Sequence, residues 1–253
     1  MSAFTFFAYL VLSAGPGAAF YCVFIAPKSL LVLLSLFSTF LWLIVLLLTA
    51  ALFRGFLPIT ENLGSYAVVV LTSVFIQEVV RYGVWRLHKE SMVLLEAMAV
   101  GSDSRFALVD KLYMALAWGY GHGACHMLFF YLSLLPLSAG GGTLYTEACP
   151  HMSFFLAGAL SALAFGMILP SVMLVSLDGY SSGNRLHVAF APAMHVTAAV
   201  LSLGNLRHGG CLYITPMLLV MGVGSVIMAA ALCWQKGSPS SSNRARLVVD
   251  AGA

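Results

Sequence analysis

Charge is what this 253-residue chain has least of: only 8% of its residues are Asp, Glu, Lys or Arg, nine acidic against twelve basic. With 61% hydrophobic residues and a mean hydropathy of +0.96, that scarcity excludes a water-soluble domain. Cysteine is sparse as well. Its five copies are too scattered for a metal ribbon and form no CxxC pair. The apolar stretches hold a single aspartate, Asp178, at the end of one of them, whereas an intramembrane aspartyl protease needs two facing aspartates that share a proton. The chain is poorly equipped to cut a peptide bond by itself.

What is present is apolar sequence long enough to cross about 30 Å of hydrocarbon, recurring near 3–25, 30–53, 64–85, 112–135, 152–177, 186–203 and 211–234. The expected fold is all-α, a polytopic membrane protein of seven transmembrane helices over 1–236 followed by a short disordered cytosolic tail at 237–253. The first stretch resembles a signal peptide, but no basic residue precedes it and Gly15-Pro16 interrupts it, which reads as a kinked helix. Nine basic residues, Lys28, Arg86, Lys89, Arg105, Lys111, Arg185, Lys236, Arg244 and Arg246, fall on the C-terminal side of the spans, and only Arg54 and Arg207 on the other. That bias puts the N-terminus in the lumen or outside and the C-terminus in the cytosol. The net charge of +3 then reflects topology and calls for no nucleic acid.

This topology sets Cys149 and Cys211 together on the lumenal face, where a disulfide persists if their Cα atoms approach within about 7 Å. Cys22, Cys125 and Cys233 lie in apolar spans and read as small core residues. The second span, with no polar face, reads as lipid-facing. The connection at about 86–110 carries both charge signs and a short amphipathic stretch through Met92, Leu94, Leu95 and Met98, while the Gly-rich one before Cys149 contains no Lys or Arg.

Three constellations stand out. In the fourth span Ala115, Gly119 and Gly123 repeat every four residues, a strip without bulk against which another helix can lie closely. In the third, Gln77, Glu78 and Arg81 share one helix face, with Glu78 roughly 20 Å along from Gly64 at 1.5 Å per residue. An ionisable pair inside a span is a functional candidate, and its structural counterpart is a polar clamp with Arg81 reaching to the interface. His122 and His126 have the i, i+4 spacing of metal ligands, yet Gly123 stands where a zinc protease needs Glu, so no metal is expected. His195, in the sixth span, reads as an interhelical hydrogen-bonding residue.

Gly15-Pro16, the stretch Phe75 to Lys89 around Gln77-Glu78-Arg81, the Ala115-Gly119-Gly123 strip and His195 together resemble the anterior-pharynx-defective (APH) subunit family of γ-secretase, over most of the chain up to about residue 236. The resemblance implies a scaffold with no catalytic residue and no cofactor, binding presenilin, nicastrin and the presenilin-enhancer subunit. It implies a multi-pass protein of endoplasmic reticulum, Golgi, plasma membrane and endosomes, supporting cleavage of type I membrane proteins such as Notch-like receptors. The family's GxxxGxxxG assembly motif falls on Ala115, Gly119 and Gly123, with Ala in place of the first Gly. The family also places a histidine in the fifth span, and here Leu169-Pro170 stands near that point, leaving His187 or His122 to compensate. An alternative is an intramembrane glutamate protease like the type II CAAX prenyl proteases, with Glu78 activating water; Gln77 in place of the first Glu speaks against it. A transporter is a third, weaker reading, suggested only by Gly15-Pro16 and the Pro192 region.

Overall fold

A computed structural model of the chain describes residues 3–56, 63–99, 108–134, 137 and 144–237. Backbone polar groups in hydrocarbon find no water, so long apolar segments close their hydrogen bonds internally, as helices or in a sealed barrel. Here they form helices. These are α1 (Ala3–Phe20), continuing into a π-helical turn at Tyr21–Ile25, α2 (Ser29–Phe56), α3 (Leu63–Ala99), α4 (Leu108–Leu132), α5 (Phe154–Ser182), α6 (Arg185–Leu203), ending in a 3-10 turn at Gly204–Leu206, and α7 (Cys211–Gly237). An isolated Thr146–Cys149 bridge is the one β-type pairing among the described residues.

The chain is a polytopic all-α membrane protein, and among the described residues six helices are long and apolar enough to cross a membrane. The exception is α4, whose Gly119, Gly121, Gly123, His122 and His126 dilute its Leu, Ala and Phe. The connection expected at 86–110 is shorter than its charges suggest. α3 continues without a break to Ala99, 37 residues in all, about 55 Å at 1.5 Å per residue, so its last turns stand clear of a 30 Å hydrocarbon layer. Its amphipathic end is therefore part of α3: Met92 is buried with Ile25, Leu31 and Met114, and Leu95 packs beside them. Arg105, Arg244, Arg246 and the expected tail beyond Gly237 lie outside the described residues, as does most of the Gly-rich connection.

α5 is the axis of the bundle. Ala159, Ala162, Ile168, Leu169, Val172 and Met173 are inaccessible on every side, because α1, α4, α6 and α7 surround the helix. Around it lie α1, α2 and α3, which turn Phe4, Phe7, Leu33, Phe40, Val68 and Phe75 outward; that surface suits acyl chains and would aggregate in water. α2 is not wholly lipid-facing, since Trp42 is fully buried on it and Ser38 Oγ donates to the Trp118 carbonyl of α4 at 2.6 Å. Of the three free cysteines only Cys125 is buried; Cys22 is exposed and Cys233 half-buried.

Both ends of the α5–α6–α7 unit are tied. At one end Cys149 and Cys211 are disulfide-bonded, with Cα atoms 5.9 Å apart across 62 residues, and Gly209, in the left-handed region at φ 72°, donates its N–H to Ala148 O at 2.7 Å. Ser153 then caps α5 by accepting from Leu156 N. At the other end Gly183, at φ 70°, closes α5 and Asn184 caps α6 by accepting from Leu186 N. This tight turn brings His187 Nδ1 within 2.9 Å of Asp178 Oδ2, and Lys236 of α7 pairs with the same carboxylate.

Candidate functional site

The polar constellation of α3 meets α6. Arg81, fully buried, pairs with Glu78 one turn earlier, and His195 Nδ1 donates to the same Glu78 Oε1 at 2.8 Å. Arg81 Nη2 lies 3.5 Å from that imidazole nitrogen; with its proton directed at Glu78, Nδ1 has no lone pair for the guanidinium. Gln77, also buried, donates to Ser73 at 3.3 Å on its own helix rather than joining the cluster. In a low-dielectric interior a carboxylate is tolerable only when paired and hydrogen-bonded. Glu78 is both, and α3, whose other faces turn largely outward, is held on α6 chiefly here.

The small-residue strip lies one helix away, on α4, and it is occupied by this chain's own α5. A Cβ on Gly119 would stand 2.7 Å from the Pro170 carbonyl oxygen, and one on Gly123 would stand 2.5 Å from Pro170 Cγ and 2.6 Å from Cδ. Ala115 is buried in the same seam beside Met173, Leu174 and Leu177. Pro170 of α5 is thus the knob for which the strip is the hole. Gly121 serves a second approach on the opposite side, where its Cβ would meet Ser35 O at 2.5 Å and Ser38 Cβ at 2.6 Å on α2. Alternate glycines let α4 pack tightly between two helices at once.

The histidines of α4 face the polar cluster. His122, fully buried, stacks on Trp42 with centroids 3.6 Å apart and lies 6.4 Å from the His195 ring. His126 Nδ1 donates to the His122 carbonyl at 3.1 Å. Both His122 nitrogens, His126 Nε2, Trp42 Nε1 and Arg81 Nε have no protein partner, so this interior holds more donors and acceptors than the chain itself matches. Among the described residues no three of His, Cys, Asp or Glu converge to hold a metal. His187 is not part of this cluster; it belongs to the Asp178–Lys236 tie at the end of the bundle.

Several participants carry no motif. Trp42 in α2 and the seating of Pro170 are visible only once helices are paired, although a proline inside an apolar span is the one signal that α5 differs locally. Gly179-Tyr180-Ser181-Ser182-Gly183 has GxSxG spacing. It ends a helix rather than turning from strand to helix, and Ser181 donates to Leu177 O at 2.8 Å, so it lacks the setting of a nucleophile elbow.

The family model described as Aph-1 protein matches residues 4–236. A γ-secretase subunit APH1-like protein of Arabidopsis thaliana is 37% identical over 230 residues, covering 90% of this chain and 92% of that protein. γ-Secretase subunit Aph-1b of Danio rerio is 25% identical over 236 residues, covering 90% of each. γ-Secretase subunit APH-1B of Homo sapiens is 25% identical over 185 residues, covering 71% of this chain and 70% of that protein.

Proposed function

The chain belongs to the Aph-1 family, and on that premise we propose that it is a subunit of a γ-secretase complex, a non-catalytic scaffold of an intramembrane aspartyl protease. The observation that carries this reading is the Aph-1 match across 4–236. Consistent with it, Glu78 is engaged through Oε1 by both Arg81 and His195. The partners proposed are presenilin, which would supply the catalytic aspartates, nicastrin and the presenilin-enhancer subunit. The complex would act on type I membrane proteins in the endoplasmic reticulum, Golgi, plasma membrane and endosomes.

In this reading α4 is the seventh span, central and therefore free to be less apolar than helices that meet lipid. The N-terminus is lumenal and the C-terminus cytosolic, which sets the Cys149–Cys211 bond in an oxidising compartment. Ala115, Gly119 and Gly123 serve assembly indirectly, by holding α4 against Pro170 so that outer surfaces keep their shape. His122 takes the part of the histidine that the family carries in the fifth span, since it faces His195 from α4.

Affinity capture of the tagged chain from native membranes in mild detergent, with bound proteins identified by mass spectrometry, tests the proposal. Presenilin, nicastrin and the presenilin-enhancer subunit are expected together; recovery of the chain alone would sink it. The prenyl-protease alternative predicts that the isolated chain cleaves a prenylated peptide and that Glu78→Gln stops it.

A further inference from the structure

α4 is built unlike a helix that enters lipid unaided. Residues 121–127 are all buried, and the middle turns of the helix carry Gly119, Gly121, His122, Gly123 and His126. Polar positions weigh most against insertion at the centre of a span. Each of these is covered by a neighbour from the same chain: Pro170 of α5 stands against Gly119 and Gly123, Ser35 and Ser38 of α2 against Gly121, and Trp42 of α2 against His122 and His126. The carbonyl of Trp118, one turn before His122, is likewise engaged by Ser38 at 2.6 Å. Alone in hydrocarbon, α4 would turn all of these groups toward acyl chains.

Those neighbours reach the membrane at different times. α2 precedes α4 in the chain and α5 follows it, so the Pro170 contact is missing while α4 is being made. The flanking charges suit a joint entry. Lys111 lies at the start of α4 and Arg185 just beyond α5, whereas residues 133–153 between the two helices contain no Lys or Arg. Positive charge holds the outer flanks of the pair in the cytosol, and none opposes passage of the inner turn.

We propose that α4 enters the bilayer only together with α5, as a hairpin closed by Pro170 on Gly119 and Gly123, which makes the membrane topology of this chain conditional on a tertiary contact. This coupling rests on the seven-span reading with a cytosolic C-terminus. If α4 stays on the cytosolic side while α5 inserts, then α5, α6 and α7 each cross in the opposite sense. The tail then lies in the lumen, and Cys149 and Cys211 lie in the cytosol, where thiols are kept reduced. If α5 stays out as well, Cys149 is again cytosolic. The Cys149–Cys211 bond therefore marks chains whose α4 has crossed.

The test is translation of the full chain into sealed endoplasmic reticulum microsomes, in a Cys22→Ala, Cys125→Ala and Cys233→Ala background with an Asn-x-Thr acceptor appended after Ala253; the chain has no Asn-x-Ser/Thr of its own. Two signals report topology without need of a stable fold: glycosylation of the tail, and labelling of Cys149 or Cys211 by a membrane-impermeant maleimide added outside. The parent is expected to show neither. Gly119→Leu with Gly123→Leu makes α4 more apolar yet blocks the approach of Pro170, and should give one or both signals in the majority of chains. A span that crosses by its own apolarity would insert better with those leucines, so a variant that shows neither signal overturns the proposal. Adding His122→Leu and His126→Leu lets α4 cross unaided and should return both signals to the parent level; signals that persist would place the defect outside α4 insertion and sink the proposal equally. Either signal in the parent would overturn the seven-span orientation itself, and the coupling with it.

Discussion

Two interhelical seams of this bundle are built on opposite principles. Between α4 and α5 the helices approach because side chains are missing: Gly119 and Gly123 admit Pro170 so closely that a single methyl group would collide with it. Between α3 and α6 they are held because side chains are present: Arg81, Glu78 and His195 bridge the two helices. In hydrocarbon there is no hydrophobic gain from helix association, so contact has to come from dispersion at short range or from polar pairs. The protein uses one of each. The first seam should fail on changes of size; the second should fail when one charge is removed and its partner is left unmatched.

The largest expected effect breaks the charged seam. Arg81→Leu leaves the Glu78 carboxylate without its ion-pair partner in the bundle, and thermal unfolding in detergent should register a loss of about 3–5 kcal/mol. Adding Glu78→Leu to the same chain should recover most of it, since an apolar pair replaces a buried ion pair at little net cost; a double variant less stable than Arg81→Leu would show that the seam needs its charges for more than pairing. Gly123→Leu attacks the other seam through volume, at about 3 kcal/mol, the upper end of overpacking costs.

A finer contrast separates two glycines of one strip. The obstacle at Gly123 is the Pro170 ring, whereas at Gly119 it is the Pro170 carbonyl. Pro170→Ala should therefore rescue Gly123→Ala and not Gly119→Ala, read as melting temperature of the four chains. The smallest effect belongs to Ala115→Gly, which keeps the position small and should cost no more than about 1 kcal/mol of helix propensity. A large loss there would mean that the Ala115 methyl is itself a needed contact.

Much of the membrane architecture is legible in the residues, because a segment that must satisfy its own backbone in hydrocarbon has few choices. The helices lie close to the apolar stretches, and Glu78 and Arg81 share a face as their spacing requires. The connection at 86–110 is misread because charge is taken to end a span, whereas a helix can leave the membrane and continue, as α3 does to Ala99. The strip at Ala115, Gly119 and Gly123 is legible as a docking face, but its occupant is not. Nothing in the order of residues says that Pro170 of the same chain, rather than another subunit, fills it. Asp178, His187 and Lys236 likewise look like unrelated polar residues until the Gly183–Asn184 turn and the α5–α7 packing bring them together.

Composition and periodicity by themselves determined that this chain is a helical membrane protein, where its apolar helices run, and which positions must be small or paired. These are local consequences of hydrocarbon on a backbone and of 3.6-residue periodicity. Tertiary structure alone decided what meets what: Pro170 against two glycines, His195 against Glu78, and His122 against Trp42. Such choices depend on long-range packing, which settles only when helices distant in sequence compete for the same few ångströms of contact.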